Sequence, residues 1–326
     1  MMSADQKTKR QGILWILVSA LAYSVFTVMA KKVLREIEPT DVVFWRFAVA
    51  TPITWLIVLG RARRGVGPNP LHVEWHPRFA MGLLFGLLAW LAFIGVDKLP
   101  GDLYVIIIYT YPAMVAVGAW LLGRPTSRQL WTAIVITMIG IGLTVPEIFD
   151  GTKGAAPMGF ALTIANAALY AGYILYSERI VNDTKGHRLA GDSFVAAAWG
   201  MAGSLLVAIV IVVLSGGVSA PRSALAIICM LGLAIISTVV SQTAFFLGVT
   251  RLGPAQAALV AASEPVMALT WLAIFLGESL RPIQFVGAVL VIIGVVWSQR
   301  AQSGRSAVVS SANSQTQQAN TPRPQH

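Results

Sequence analysis

Glu264 lies midway along an apolar run of about 254–277 and directly precedes Pro265. A carboxylate near the centre of a bilayer costs about 3 kcal/mol on insertion scales, so it must face a protein interior and find a partner there. Such a group can bind a substrate ammonium, take up a coupling proton, or serve only as a hydrogen-bonded joint between helices. Pro265 cannot donate to the carbonyl of Ala261, and Pro112, 153 positions earlier, cannot donate to that of Ile108. In lipid a freed carbonyl is tolerated only where protein or cavity water satisfies it. Polar side chains stand beside both breaks: Tyr109, Thr110 and Tyr111 before Pro112, and Ser263 and Glu264 before Pro265. Paired interruptions at matching depth are the best sequence pointer to a binding site in a membrane carrier. The alternative is a pair of kinks that serve packing.

Arg46 is the other charge inside an apolar run. Its guanidinium either holds a substrate carboxylate bidentately or snorkels outward to the interface. Ser19, Tyr23 and Thr27 recur at helical spacing and share one face, as do Asn166, Tyr170 and Tyr173. Ser237, Ser241 and Gln242 add hydrogen-bonding capacity in a further run. Taken singly, such residues in membrane helices are commonly interhelical glue. Trp90, Trp199 and Trp271 either wall a cavity or belong to interfacial belts. The candidate substrate-binding set is therefore Tyr23, Arg46, Trp90, Tyr109, Tyr111, Asn166, Tyr170, Gln242, Ser263 and Glu264, with Pro112 and Pro265 as helix breaks. Gly82 and Gly86 form a small-xxx-small pair suited to close helix contact.

Other chemistries lack their residues. The single cysteine, Cys229, falls in an apolar run, where it reads as a small buried hydrophobe. Neither a disulfide nor a thiolate metal site is available, and no metal or cofactor is expected. All four histidines (His72, His76, His187, His326) lie in polar segments, and Glu264 has no second carboxylate nearby in sequence. An intramembrane enzyme is thus disfavoured. Gly151-Thr-Lys-Gly154 lacks the spacing of a phosphate-binding loop, which disfavours ATP hydrolysis.

These residues must be positioned by membrane helices. The apolar fraction is 56%, only 12% of the residues are charged and mean hydropathy is +0.71, far from the quarter charged that is usual in soluble domains. Ten runs are long enough to cross a bilayer: about 11–30, 40–60, 78–97, 102–123, 127–146, 156–177, 192–214, 223–249, 254–277 and 282–299. The first, with Lys7, Lys9 and Arg10 ahead of it, reads as a span rather than a leader because of its length and the nine runs that follow. With the N-terminus inside, sixteen Lys and Arg fall in cytoplasmic segments against seven in the others, Arg46 set aside. Both termini are therefore expected in the cytoplasm. The net charge of +10 is a topology signal and an attraction to inner-leaflet lipid, not a nucleic-acid site. The tail over 301–326 is polar and aperiodic and is expected to be disordered.

The chain also repeats itself. Phe93-Ile-Gly-Val-Asp-Lys-Leu99 reads against Phe246-Leu-Gly-Val-Thr-Arg-Leu252, Pro112-Ala-Met114 against Pro265-Val-Met267, and Ile139-Gly140 against Ile293-Gly294. Each copy holds five spans, an odd number, so the second enters the membrane from the opposite side. The expected fold class is an all-α membrane protein of ten transmembrane helices arranged as two inverted-topology five-helix repeats, 12–145 and 156–299, after a cytoplasmic segment 1–11.

At this level the chain resembles the drug/metabolite transporter superfamily, as a ten-helix member with two EamA-type repeats. The residues that carry the likeness are Arg46 in Phe44-Trp-Arg-Phe47, the two Phe-Xaa-Gly-Val segments, Glu264-Pro265, and Leu276-Gly-Glu278 followed by Gly287 and Gly294. In the first copy Gly123 is followed by Arg124 where the family has Glu, so no acidic role is carried there. The resemblance implies a bacterial inner-membrane carrier of small metabolites, often an exporter. It leaves the substrate open among amino acids, nucleobases, sugars and drugs. The expected partners are a small-molecule substrate, protons as a coupling ion, and membrane lipid. A passive channel or a membrane sensor on the same scaffold is the alternative.

Overall fold

A computed structural model describes residues 4–98, 107–124, 127–144, 157–182, 192–276 and 281–297. Helix dominates, and the described residues contain no strand. The first apolar run is helical from α1 (Ala4–Ser24) into α2 (Phe26–Val33), with a break at Val25. α3 (Pro39–Arg63) opens on a proline, whose missing N–H would have had no partner at a helix start. α4 (His76–Lys98), α5 (Tyr111–Leu121), α6 (Arg128–Thr144) and α7 (Pro157–Asn182) follow.

α8 (Ser193–Leu214) is capped by Asp192, whose carboxylate accepts from the backbone N–H groups of Phe194 and Val195. α9 (Ala224–Ala234), capped by Ser223, runs through a π-helical segment (Ile235–Val240) into α10 (Ser241–Leu252). Gly253, at φ +79°, turns the chain directly into α11 (Pro254–Ala261), a conformation that a side chain would strain. α12 (Glu264–Leu276) and α13 (Pro282–Trp297) complete the described chain.

Among the described residues, five helical stretches are long and apolar enough to cross a membrane: Gln6–Ala30, Pro39–Arg63, Pro157–Glu178, Ser193–Leu214 and Ala224–Leu252. Shorter apolar helices cover His76–Ala92, Tyr111–Leu121, Arg128–Thr144 and Pro282–Trp297. The outer faces carry Leu56, Val213, Leu214 and Ile228 largely exposed. Water would penalise such a surface and acyl chains do not, so the chain is an all-α, multi-pass membrane protein.

Glycines set the closest helix contacts. A Cβ on Gly82 would collide with the Gly200 carbonyl, and one on Gly86 would come within 3.0 Å of the Ser204 backbone. Ser204 Oγ adds a 2.9 Å bond to the Gly82 carbonyl across the same α4–α8 seam. The small-xxx-small pair therefore packs. Similar seams join α6 to α13 through Gly140 and Gly287, and α1 to α10 through Gly12 and Gly248. The main core gathers Ile16, Tyr111, Tyr173, Ile174 and Phe246, so the two halves of the sequence share one interior.

Two features depart from the sequence reading. The first run is broken at Val25, and the run over 223–249 contains the π segment. Neither break falls at a proline, and the contacts made at each are described below. Leu99, Gly277, Glu278 and the tail from 301 lie outside the described residues.

Candidate functional site

The two proline breaks are built alike. The helix loosens at Tyr109 and Thr110 ahead of Pro112, and at Ala262 and Ser263 ahead of Pro265. In the first, the Thr110 N–H turns back to the Ile107 carbonyl at 3.1 Å and its hydroxyl donates to the same oxygen at 2.7 Å. In the second, the Ser263 N–H and hydroxyl do the same to Val260, at 3.1 and 2.8 Å. Each pair of residues is separated by 153 positions, the offset of the sequence repeat. A hydroxyl two residues before the proline thus tightens the turn that the missing N–H leaves open. Ser263 is committed to this bond as a donor and keeps only acceptor capacity for a ligand.

The residue after each hydroxyl differs between the two copies. Tyr111, in the first copy, is buried and donates to the Ala258 carbonyl in α11 at 3.4 Å. Glu264, in the second, is hydrogen-bonded to Tyr109. Five of the seven tyrosines gather here. Tyr111 meets Tyr170 edge-on with centroids 4.8 Å apart, Tyr109 lies 6.0 Å from Tyr111, and Tyr170 stacks at 6.1 Å on Tyr173. Gln242 donates from Nε2 to the Tyr173 hydroxyl. Tyr23 lies within electrostatic reach of Tyr109, Tyr111 and Tyr170. Tyr23, Tyr109, Tyr170, Gln242 and Glu264 all keep part of their surface accessible.

Arg46 does not snorkel. It is 3% exposed, and its Nε donates to the Thr238 hydroxyl at 2.6 Å. The guanidinium carbon lies 5.5, 5.1 and 5.6 Å from the rings of Tyr23, Phe26 and Phe47, so aromatic faces replace water around the cation. Thr238 reaches it because the helix is widened there. Its hydroxyl also donates to the Leu233 carbonyl five residues back at 2.8 Å, the span of a π turn. The break at Val25 lets Phe26 stack on Tyr23 at 5.3 Å and face the same guanidinium. One atom of this cation, Nη2, is buried with no hydrogen-bond partner. No ion pair joins Arg46 to Glu264 among the described residues, although the two interact electrostatically.

The remaining candidates are placed as follows. Asn166 is buried one turn before Tyr170 on α7, continuing that stripe inward. Ser19 and Ser241 hydrogen-bond to each other at 3.2 Å and join α1 to α10, as helix glue does. Trp90 stands apart: it lines an apolar groove of about 440 Å³ between α4 and α8, with Leu83, Leu87, Val207 and Ile211. Trp271 donates to Ser24 Oγ at 2.8 Å. Trp199 belongs to an end of the bundle. Phe26 and Thr238 were not among the candidates, and no sequence signal marks them, because each depends on a local departure from the α-helix.

Residues 10–145 and 157–299 each match the EamA-like transporter family. The chain belongs to that family. A curated relative, the uncharacterized transporter YcbK of Bacillus subtilis, is 26% identical over 300 residues, covering 88% of this chain and 93% of its own. The uncharacterized transporter sll1319 of a Synechocystis species is 26% identical over 215 residues, covering 66% and 63%. A crystal structure of a protein matches 89% of this chain and 96% of its own with a TM-score of 0.75 at 16% identity, a likeness of fold. In this EamA-family transporter Tyr109 and Glu264, one from each helix break, hydrogen-bond to each other, and Arg46 lies against Tyr23 of the same tyrosine cluster.

Proposed function

We propose that this EamA-family transporter is a secondary carrier that moves a small amino-acid-like or related amphipathic metabolite across the bacterial inner membrane by alternating access. Ten crossings form two inverted five-helix repeats, 12–145 and 156–299, with both termini cytoplasmic. Transport runs outward and is driven by inward proton flow through Glu264.

The observation that carries this reading is the separation of Arg46 from Glu264. Arg46 holds an unpartnered Nη2 and lies against the Tyr23 ring, while Glu264 is bonded to Tyr109. A substrate bearing a carboxylate and an ammonium meets both groups at once and lays its apolar part on the tyrosines. Tyr23, Tyr109, Tyr111, Tyr170, Asn166 and Gln242 supply the walls and polar contacts, and Ser263 an acceptor. The matched breaks at Pro112 and Pro265 support a site at the interface of two related halves.

Counterflow in proteoliposomes tests it. Vesicles loaded with unlabelled amino acids should accumulate a labelled one above equilibrium, because only a carrier trades internal for external substrate. Glu264→Gln should abolish the response to a pH jump. Absence of counterflow with every amphipathic zwitterion tried, or a pH response unchanged in Glu264→Gln, would refute the proposal.

A further inference from the structure

Trp45 is the seventh residue of α3, and Trp199 is the seventh of α8. Each indole Nε1 donates to a carbonyl in a loop of the other half of the sequence. Trp45 bonds Ser219 at 2.8 Å, and Trp199 bonds Pro70 at 2.9 Å. Those loops lead into α9 and α4, the third helical stretch of each half. The two contacts sit at opposite ends of the bundle. Trp45 lies near the start of α3 and Pro70 beyond its end, and the 25 residues of that helix rise about 37 Å.

The bonds around each indole differ in kind. At the first end, Ser219 N–H donates to Asp41 at 3.2 Å, and the N–H groups of Arg222 and Ser223 donate to Glu36 at 2.9 and 3.1 Å. The Ser223 hydroxyl also donates to Glu36. At the second end, Pro70 has no N–H to give, so no bond equivalent to Ser219–Asp41 forms. Arg61 pairs with Asp192 at 3.2 Å instead, and its guanidinium lies 4.1 Å over the Phe194 ring. Trp199 stacks on Trp75 at 5.2 Å and meets Trp55 edge-on at 4.9 Å. Every one of these links joins one half of the sequence to the other, apart from the contact of Trp45 with Phe44 on its own helix.

We propose that Trp45 and Trp199 are the gate residues of the transport cycle. Each indole clasps the two halves at one end of the bundle, and release of one clasp opens the tyrosine cluster from that end while the other stays shut. Both indoles act by position: neither touches the tyrosine cluster. The assignment rests on the alternating-access reading above, which counterflow tests separately.

Cys229 is a built-in reporter for the first clasp. It is the sole cysteine of the chain and lies partly buried against the cluster of Ala30, Val33, Val42, Met230 and Leu233, directly behind that end. A cysteine at Ala198, fully buried beside Val58, Val195 and Trp199, reports the second in a Cys229→Ala background. The protein in lipid nanodiscs exposes both ends to a charged maleimide. Trp45→Phe keeps a ring and removes the N–H bond, so Cys229 should react about fivefold faster, the factor that one net hydrogen bond is worth, with no rise at the Ala198→Cys site. Trp199→Phe should give the reverse pattern. A variant that speeds both sites, or neither, would overturn the gate assignment. If that happens while wild-type counterflow persists, the clasps alone are refuted. If wild-type protein shows no counterflow, the carrier reading falls whatever the labelling pattern.

Discussion

Two glycine-to-alanine substitutions should have opposite signs, and the structure says which is which. Gly203 faces α4 so closely that a Cβ would lie 2.8 Å from the Leu83 nitrogen and 2.9 Å from the Gly82 carbonyl carbon, and nearer still to the Phe79 carbonyl oxygen. All three are backbone atoms, which cannot swing aside. Ordinary contact begins at 3.4 Å, so α4 and α8 must part by at least 0.6 Å. That movement stretches the Ser204–Gly82 bond, now 2.9 Å, and opens the seam at Gly86. Overpacking of this kind costs about 1–3 kcal/mol, against a helix-propensity gain of about 0.5–1 kcal/mol for losing a glycine. Gly172 lies on the α7 face shared with exposed Leu169 and Tyr176, and a Cβ there meets nothing within 4 Å. It should show the gain alone. Gly203→Ala and Gly172→Ala should therefore differ by about 2 kcal/mol, which corresponds to melting temperatures roughly 5 °C apart. Tryptophan fluorescence during heating, in one detergent and at one protein concentration, reads the difference. Equal melting of the two variants, or a higher midpoint for Gly203→Ala, would refute the close α4–α8 contact.

Thr238→Val removes the acceptor of the Arg46 Nε bond at 2.6 Å and leaves a buried cation short of a partner. Hydrogen bonds to charged groups are worth about 1.5–3 kcal/mol, so the midpoint should fall. Adding Arg46→Met should restore part of the loss, because no unpaired charge then remains; unchanged melting in Thr238→Val would contradict the described pairing. Glu36 titrates at the end of the bundle. The Ser223 hydroxyl bond, then the Arg222 and Ser223 N–H groups, hold its carboxyl below the ordinary carboxylate range. A depressed carboxylate contributes its stabilisation above its unfolded-state pKa and loses it as pH falls through the folded value. Hydrogen exchange at Arg222 and Ser223, corrected for intrinsic rates, should therefore stay protected at neutral pH and lose protection only below the ordinary carboxylate range. Loss of protection near neutrality, or in parallel for a Glu36→Gln variant across all pH, would contradict this.

Much of the candidate site could be named before any fold was known, and for a physical reason. A proline in a membrane helix and a carboxylate at bilayer depth are expensive wherever they occur, so their presence alone marks a place where the interior must answer them. Pro112, Pro265, Glu264 and the tyrosines around them could be named on that ground. The seam glycines Gly82 and Gly86 followed from the same logic, since only missing side chains let backbones approach closely in lipid. Spacing of 153 residues likewise paired Thr110 with Ser263, whose hydroxyls now prove to make the same backbone bond.

Direction and environment were decided elsewhere. Nothing local distinguishes an arginine that snorkels from one that stays inside. Arg46 stays because a widened turn brings Thr238 to its Nε and a helix break brings Phe26 over its plane. The Thr238 bond joins residues 192 positions apart, which no window of sequence contains, and the Phe26 contact depends on a break that no proline marks. Trp90 stands away from the tyrosine cluster for the converse reason. Its place on α4 was readable, but the face it shares with α8 was not. The sequence by itself determined which residues are costly in a membrane and how the two halves correspond. Only the tertiary structure decided which of those residues meet, because meeting depends on how the halves interlock.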